Sequence, residues 1–210
     1  MIARMYKILR PDGSCAHGGK GNWHLPSGRR PGRWLPAIAS PVLCTRGYHL
    51  VPAMHILQWL QAGYVVWEAE GRGARTSSGD KVAYGQARLL RRVGSMDERA
   101  LRLFAADCAE RILPIFERDC PADDRPRRAI EAARGYCAGT VTREQMAAAW
   151  DAARDAARAA AWDAARAAAW AAAGDAAWAA RDAAGAAARA AAQRWQTRRL
   201  LAYLRRGADE

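Results

Sequence analysis

Residues 146–180 read MAAAWDAARDAARAAAWDAARAAAWAAAGDAAWAA and repeat every four residues. Tryptophan, arginine, methionine or glycine takes the first position, aspartate or alanine the second, and alanine the third and fourth. Alanine has the highest helix propensity of all residues. Asp151 and Arg154 lie three residues apart, as do Asp155 and Arg158, and such pairs face each other on a helix. This stretch is therefore predicted to be helical.

The repeat spreads its tryptophans around the helix, because four residues advance an α-helix by about 40° more than a full turn. The tryptophans concerned are Trp150, Trp162, Trp170 and Trp178. Large exposed apolar side chains mark contact surfaces, so the helix is expected to pack on more than one side. Two arrangements fit: a helical hairpin that breaks near Gly174 and Asp175, which we favour, or one long helix that forms a homo-oligomer with a second copy.

Residues 1–93 have a different construction, in which turn-forming residues separate short apolar runs. Strands are predicted at residues 5–9, 47–51 and 64–70, with Gly71 and Gly73 after the last of them. A helix is predicted at residues 52–61. Residues 81–93 are compatible with either a strand or a helix.

From Ser95 onward the pattern is helical. Capping boxes are expected at Ser95–Glu98 and at Thr142–Gln145, and Pro114 predicts a kink or break near Leu113. A further helix is expected between Asp124, as N-cap, and Gly139. Leu200, Leu201 and Leu204 are expected to dock the last helix on the body of the protein.

These patterns predict an α+β protein with two domains. The first is a small basic α+β domain at residues 1–93, and the second is an all-α domain at residues 94–210 that contains the Ala/Trp-rich long helix or hairpin.

The positive charge belongs to the N-terminal part. Residues 1–93 hold 14 Lys and Arg against 4 Asp and Glu, a net charge of +10. Residues 94–142 hold 8 against 9, or −1, and residues 143–210 hold 11 against 8, or +3. Such an excess attracts acidic proteins, nucleotides or nucleic acid. Because no signal peptide or membrane-spanning run is evident, we expect a cytoplasmic protein that does not bind membranes.

The candidate catalytic residues are Tyr48, His49, Glu68 and Glu70. Glu68 and Glu70 are two apart on a predicted strand, so they share a face. Paired carboxylates perform acid–base chemistry, whereas the nearby Arg72 and Arg75 would balance them on a solvated strand face. His49 follows Tyr48 at a glycine turn and suits either proton transfer or a structural contact with the backbone.

Metal-ligand residue types gather in the first third of the chain: Cys15, His17, His24, Cys44, His49 and His55. Their spacing matches no strong zinc pattern. Neither a phosphate-binding loop motif nor a dinucleotide fingerprint is present. We therefore predict no metal and no cofactor.

Residues 102–139, together with their Ala/Trp/Arg-rich continuation, resemble the immunity-protein-like helical domain of bacterial genomes. The resemblance rests on Asp107-Cys108-Ala109-Glu110-Arg111 and on Asp124-Arg125-Pro126-Arg127, and it covers roughly half the chain. The resemblance implies a role in toxin neutralisation.

The N-terminal part resembles an uncharacterised domain of phage and prophage proteins, through Gly47-Tyr48-His49, Glu68-Ala69-Glu70-Gly71 and Asp80-Lys81. Its order of strand, glycine-aromatic turn, helix and returning strand is also similar to the ADP-ribosyltransferase fold.

Together, these observations favour a phage- or mobile-element-associated interaction protein of immunity, defence or counter-defence type, which binds an acidic partner through its basic N-terminal part. Two alternatives stay open: a nucleotide-binding or ADP-ribosyltransferase-like enzyme that uses His49, Glu68 and Glu70, and a nucleic-acid-binding protein.

Overall fold

The computed structural model describes residues 4–170 and 175–207, and it describes only the backbone of residues 162–170 and 175–184. Strands dominate the N-terminal part and helices the C-terminal part, so the α+β class is confirmed. Contacts divide the chain into two compact units. The first unit is Met1–Glu98 with Gln193–Glu210, and the second unit is Arg99–Ala192. The domain boundary at residues 93 and 94 stays a prediction about independent folding.

The first unit is built on a closed antiparallel sheet in which the strands follow the order β1-β2-β4-β3. The strands are β1 (Met5–Leu9), β2 (Tyr48–Pro52), β3 (Val65–Ser77) and β4 (Val82–Ser95). Side chains alternate across a strand, and Met5, Leu9 and Leu50 lie in a buried cluster with Trp23 and Trp67. The predicted strands at residues 5–9 and 47–51 are confirmed, and residues 81–93 adopt the strand alternative.

The strand predicted at residues 64–70 is longer than expected, because β3 continues through Gly71 and Gly73 to Ser77. Gly71 does not end the strand, since β4 pairs with β3 along this whole length. A Cβ atom at Gly71 would lie within 2.5 Å of the Tyr84 ring. The glycine therefore admits a cross-strand aromatic side chain where sequence reasoning expected a turn.

The helix predicted at residues 52–61 is much shorter. Pro52 is extended and ends β2, and a 3-10 turn at Ala53–His55 precedes the single helical turn α1 (Ile56–Trp59). Leu60 is already extended, with ψ of 133°. Pairing of Pro52 with Met5 of β1 holds the proline in the sheet, which overrides its preference for a first helical turn.

Four helices follow the sheet: α2 (Glu98–Asp119), α3 (Arg125–Ala138), α4 (Arg143–Trp170) and α5 (Asp175–Arg206). None of these helices, as far as they are described, is long and apolar enough to cross a membrane.

Several helix-end predictions are confirmed. The Thr142–Gln145 capping box forms reciprocally, since the Thr142 amide donates to Gln145 Oε1 at 2.9 Å and the Gln145 amide to Thr142 Oγ1 at 3.2 Å. Gly139 ends α3 in the left-handed conformation, with φ of 76°. Asp124 takes the N-cap position of α3, although its side chain makes no capping bond.

The capping box predicted at Ser95 is wrong. Ser95 is the last residue of β4, paired with Val65, so it does not cap α2. Of the kink or break predicted at Pro114, the break does not occur, because α2 continues past the proline to Asp119.

The described part of the Ala-rich tail is helical, in α4 up to Trp170 and in α5 from Asp175. The hairpin stays a prediction. Ion pairs at 3.5 Å join Asp151 to Arg154 and Asp155 to Arg158. Trp150 is 51% exposed. The predictions for Gly174 and for the side chains of Trp162, Trp170 and Trp178 lie outside the described residues.

The end of α5 belongs to the first unit, as expected from its leucines. Leu200 and Leu204 are fully buried there, and Leu201 is half-buried. A Cβ atom at Gly94 of β4 would lie 1.7 Å from the Leu204 carbonyl oxygen, and φ at Gly94 is 150°. Only glycine allows this close approach of helix to strand.

Candidate functional site

A cleft of the first unit has a volume of about 870 Å³. Residues of β1 and β2, the loop at residues 15–23 and the segment at residues 44–47 line it, together with Trp59 and Lys81. Loops between the strands thus bring distant parts of the sequence to one concave surface.

The cleft is strongly basic. Four cationic side chains line it, namely Lys7, Lys20, Arg46 and Lys81, and no carboxylate occurs among the described lining residues. All three lysines of the chain are present in this group. A concave surface lined by one sign of charge concentrates ions of the opposite sign, so the cleft favours anions.

Lys7 is the residue that sequence reasoning missed. Alternation along β1 places it on the same face as buried Met5 and Leu9. Its Nζ donates to the His49 carbonyl oxygen at 3.2 Å and lies 5.1 Å from the centre of the Trp23 ring. Burial lowers the pKa of Lys7, and the nearby Cys15 opposes this effect. The available signal was a lysine at an inward position of the otherwise apolar stretch MYKIL.

His49 lines the cleft, but its ring is engaged with the backbone. Nε2 accepts a hydrogen bond from the Cys44 amide at 2.9 Å, and Cys44 has a positive φ of 62°. Burial, followed by the charges of Lys7 and Lys81, lowers the pKa of His49, while a hydrogen bond to the Gly47 backbone raises it. The neutral imidazole is therefore suited to holding the Cys44 turn in place.

Tyr48 lies beside His49, and its hydroxyl donates to the Pro36 carbonyl oxygen at 2.9 Å. Its ring meets the Trp23 ring edge-on, with 5.8 Å between centroids. Burial raises the pKa of Tyr48, so the phenol stays protonated. With these contacts, Tyr48 is better suited to forming a wall of the cleft than to donating a proton to a substrate.

The structure does not bring Glu68 and Glu70 into the cleft. Glu68 pairs with Arg91 at 2.6 Å and with Arg4 at 3.8 Å, and Glu70 pairs with Arg88 at 2.5 Å. Arginines of β4, the strand paired with β3, thus supply a counter-charge for each carboxylate. This arrangement matches the alternative in which arginines balance the pair, although the arginines are Arg88 and Arg91 of β4 rather than the expected Arg72 and Arg75.

Only some of the cysteines and histidines considered as metal ligands lie in the cleft. Cys15, His17, Cys44 and His49 line the cleft, whereas His24 and His55 do not. His17 Nε2 lies 2.7 Å from the Trp59 carbonyl oxygen, and Cys44 donates its amide to His49. Over the part of the chain that is described, no three His, Cys, Asp or Glu residues are placed to hold a metal ion.

In the second unit, the motif residues tie helices together. Arg134 of α3 binds Glu110 of α2 through two hydrogen bonds of 2.7 Å and Asp107 through one of 3.0 Å. Arg127 reaches Glu117 at 2.8 Å through its Nε atom. The acidic residues of the DCAER sequence therefore have an architectural task, which is to fix α3 against α2.

The second unit also presents an apolar groove of about 1140 Å³, lined by residues of α2, α3 and α4. Its floor is largely alanine, and exposed Ile112, Ile115 and Trp150 belong to its lining. Exposed apolar patches of this kind are typical of contact surfaces.

Comparison with known proteins places one similarity on this helical part. Neither the curated proteins nor the solved structures include a significant match to the chain. The model of one protein family matches residues 91–192, just under half of the chain, which includes all of Arg99–Ala192, the second unit. This result confirms the resemblance of the C-terminal half, and the phage-like resemblance of the N-terminal part stays a prediction. Residues 91–192 are thus similar to the family described as Imm-5 like putative immunity protein.

Proposed function

We propose that this chain is an immunity-type protein, which neutralises a harmful partner protein by binding it. The observation that carries this proposal is the family match over residues 91–192, because the matched range coincides with a compact structural unit rather than with an arbitrary stretch of alanine-rich sequence. The phage or mobile-element origin inferred from the sequence is part of the same proposal.

The partner is proposed to be acidic and to contact the basic first unit. Arg29, Arg30 and Arg33 are all exposed, and no ion pair joins them to another described residue. Their segment is held in place, because the Gly32 amide donates to the Leu89 carbonyl oxygen at 2.9 Å. Three unpaired guanidinium groups on a tethered segment suit carboxylates of a partner, with little ordering required on binding.

The test begins with a pull-down from the native host, using the full chain. The captured protein is identified and then expressed in a test bacterium, alone and together with the chain. We expect growth arrest when it is expressed alone and growth when the two are expressed together. A captured protein that is harmless, or whose toxicity the chain does not relieve, contradicts the proposal. Capture that disappears on nuclease treatment favours the nucleic-acid-binding alternative instead.

The charge contact is tested by reversing three arginines at once. The variant Arg29→Glu, Arg30→Glu, Arg33→Glu should bind the identified partner at least about tenfold more weakly, because charge reversal replaces attraction by repulsion. The matched control reverses three exposed arginines of the second unit, namely Arg118, Arg143 and Arg189. Equal losses in both variants would show that net charge alone matters, and the proposed surface would then be wrong.

A further inference from the structure

Lys7 presents an unusual electrostatic situation. Its ammonium group is half-buried in the cleft, where it contacts a carbonyl oxygen and an indole ring. No carboxylate among the described residues forms an ion pair with it. A charge that loses part of its hydration without gaining a counter-ion is costly, and a replacement as simple as methionine would avoid that cost. An anionic ligand would supply the missing charge.

The loop at residues 18–21, with the sequence GGKG, lines the same cleft. Gly18 and Gly21 have φ of 71° and 101°, and a Cβ atom at either would meet nothing within 4 Å. No hydrogen bond links the amides of this loop to another described residue. Successive free amides in a turn form a concavity that binds anions.

Cys15 lies near both Lys7 and the loop at residues 18–21. It lies close enough to Lys7 to affect the lysine electrostatically, and its Sγ would be 3.1 Å from a Cβ atom at Gly19. The ammonium of Lys7 and the glycine loop therefore belong to one part of the cleft. Lys20 stands in this loop and is exposed, so it can reach an anion that enters from solvent.

We propose that the cleft of the first unit binds a small phosphorylated ligand, whose phosphate is held by Lys7, Lys20 and the amides of the loop at residues 18–21. Phosphate suits this set of donors, because it accepts several charge-assisted hydrogen bonds at once. The ligand is a free phosphate or a phosphomonoester such as a nucleoside monophosphate. The site is separate from the arginine segment proposed for the protein partner, so either proposal can fail without the other.

The test uses the full chain in phosphate-free buffer, with calorimetry and thermal unfolding as readouts. The probes are inorganic phosphate, adenosine 5′-monophosphate and adenosine. We expect the first two to bind and to raise the melting temperature, with a larger effect of the nucleotide if the ligand is a phosphomonoester. Adenosine should not bind, because it lacks the phosphate. Equal binding of adenosine, or no binding of either phosphate compound, overturns the proposal.

Two variants test the individual groups. Lys7→Met should weaken phosphate binding at least about tenfold, the effect of one charge-assisted hydrogen bond. The same variant should raise the melting temperature of the unliganded chain by about 2–5 °C, because it removes a desolvated charge. Lys20→Met lies on the surface and cannot disturb the core, and it should also weaken binding.

Arg75→Met is the control, since Arg75 is exposed and outside the cleft; it should bind phosphate like the wild type. Unchanged affinity in both lysine variants contradicts the proposal. A lower melting temperature of Lys7→Met would show that the lysine serves the fold rather than a ligand, and this too would contradict it.

Discussion

The residues that resemble catalytic groups in this chain are largely engaged in holding the fold. His49 binds the Cys44 amide, Tyr48 binds the Pro36 carbonyl oxygen, and Glu68 is paired with Arg91. Lys7 is different, because its charge has no carboxylate partner among the described residues. A side chain whose electrostatic requirements the fold leaves unmet is a better functional candidate than one with satisfied contacts.

Alternation within one strand was sufficient to place Glu68 and Glu70 on a common face. Alternation cannot show which loops cover a face, and the cleft consists of loops that join strands far apart in sequence. Sequence reasoning therefore identified Tyr48 and His49 but not their neighbour Lys7, whose contacts are with the Trp23 ring and the His49 backbone.

The role of His49 predicts how stability depends on pH. Its pKa in the folded state lies below the ordinary value of 6.5. The unfolded chain therefore takes up a proton at this side chain before the folded chain does, and the free energy of unfolding falls as the pH falls from about 6.5 through the lowered pKa. Thermal unfolding at pH 7.5 and 5.5 should show a drop in melting temperature, and His49→Gln should show a smaller drop.

The matched control for this experiment is His24→Gln. His24 is exposed and does not line the cleft, so this variant should keep the pH response of the wild type. If His49→Gln and the wild type lose the same stability between the two pH values, burial and the charges of Lys7 and Lys81 do not lower the pKa of His49 as described.

At the scale of elements, two similar capping-box patterns had opposite outcomes. Ser95 and Thr142 both begin capping-box patterns, yet only Thr142 caps a helix. Ser95 is paired with Val65 in the sheet, so strand pairing overrides the local preference. Pro114 is a second position where a local signal does not end an element, since α2 continues past the proline. Tertiary contacts decide such cases, and a single sequence does not contain them.

The connection between α2 and α3 gives a prediction at this scale. Arg134→Met removes the hydrogen bonds to Glu110 and to Asp107, whose side chain is only 12% exposed. We expect the free energy of unfolding to fall by about 1–2 kcal/mol, because the bonds are charge-assisted and partly screened from water. Urea denaturation measures the change.

Arg118→Met is a suitable control for the arginine substitution. Arg118 is 72% exposed and pairs with Asp119, its neighbour in the chain. Such a surface pair contributes little, so the control should unfold at nearly the same urea concentration as the wild type. An Arg134→Met variant as stable as this control would mean that the pairs with α2 do not stabilise the second unit.

At the scale of the whole molecule, the C-terminal segment belongs to the same compact unit as the N-terminal strands. The last turns of α5 pack in the same unit as the closed sheet, and the sheet supplies Gly94 as a contact point for the backbone of Leu204. The docking of Leu200 and Leu204 was predictable from their spacing. The return of residues 193–210 to the first unit was not, because helical periodicity identifies an apolar face but not the surface that covers it.

The close approach of Leu204 to Gly94 predicts that the stability of the sheet depends on the C-terminal segment. Leu204→Ala should lower the free energy of unfolding by about 2–5 kcal/mol, as expected for a fully buried leucine, whereas Arg205→Ala at the neighbouring exposed position should change it by less than about 0.5 kcal/mol.

A chain that ends at residue 192 should lose near-ultraviolet circular dichroism from the tryptophans packed in the sheet, because Leu200 and Leu204 no longer cover it. If the shortened chain keeps that signal and unfolds at the wild-type temperature, residues 1–98 form a stable fold without the segment. The basic part would then be an independent domain, as its composition suggests.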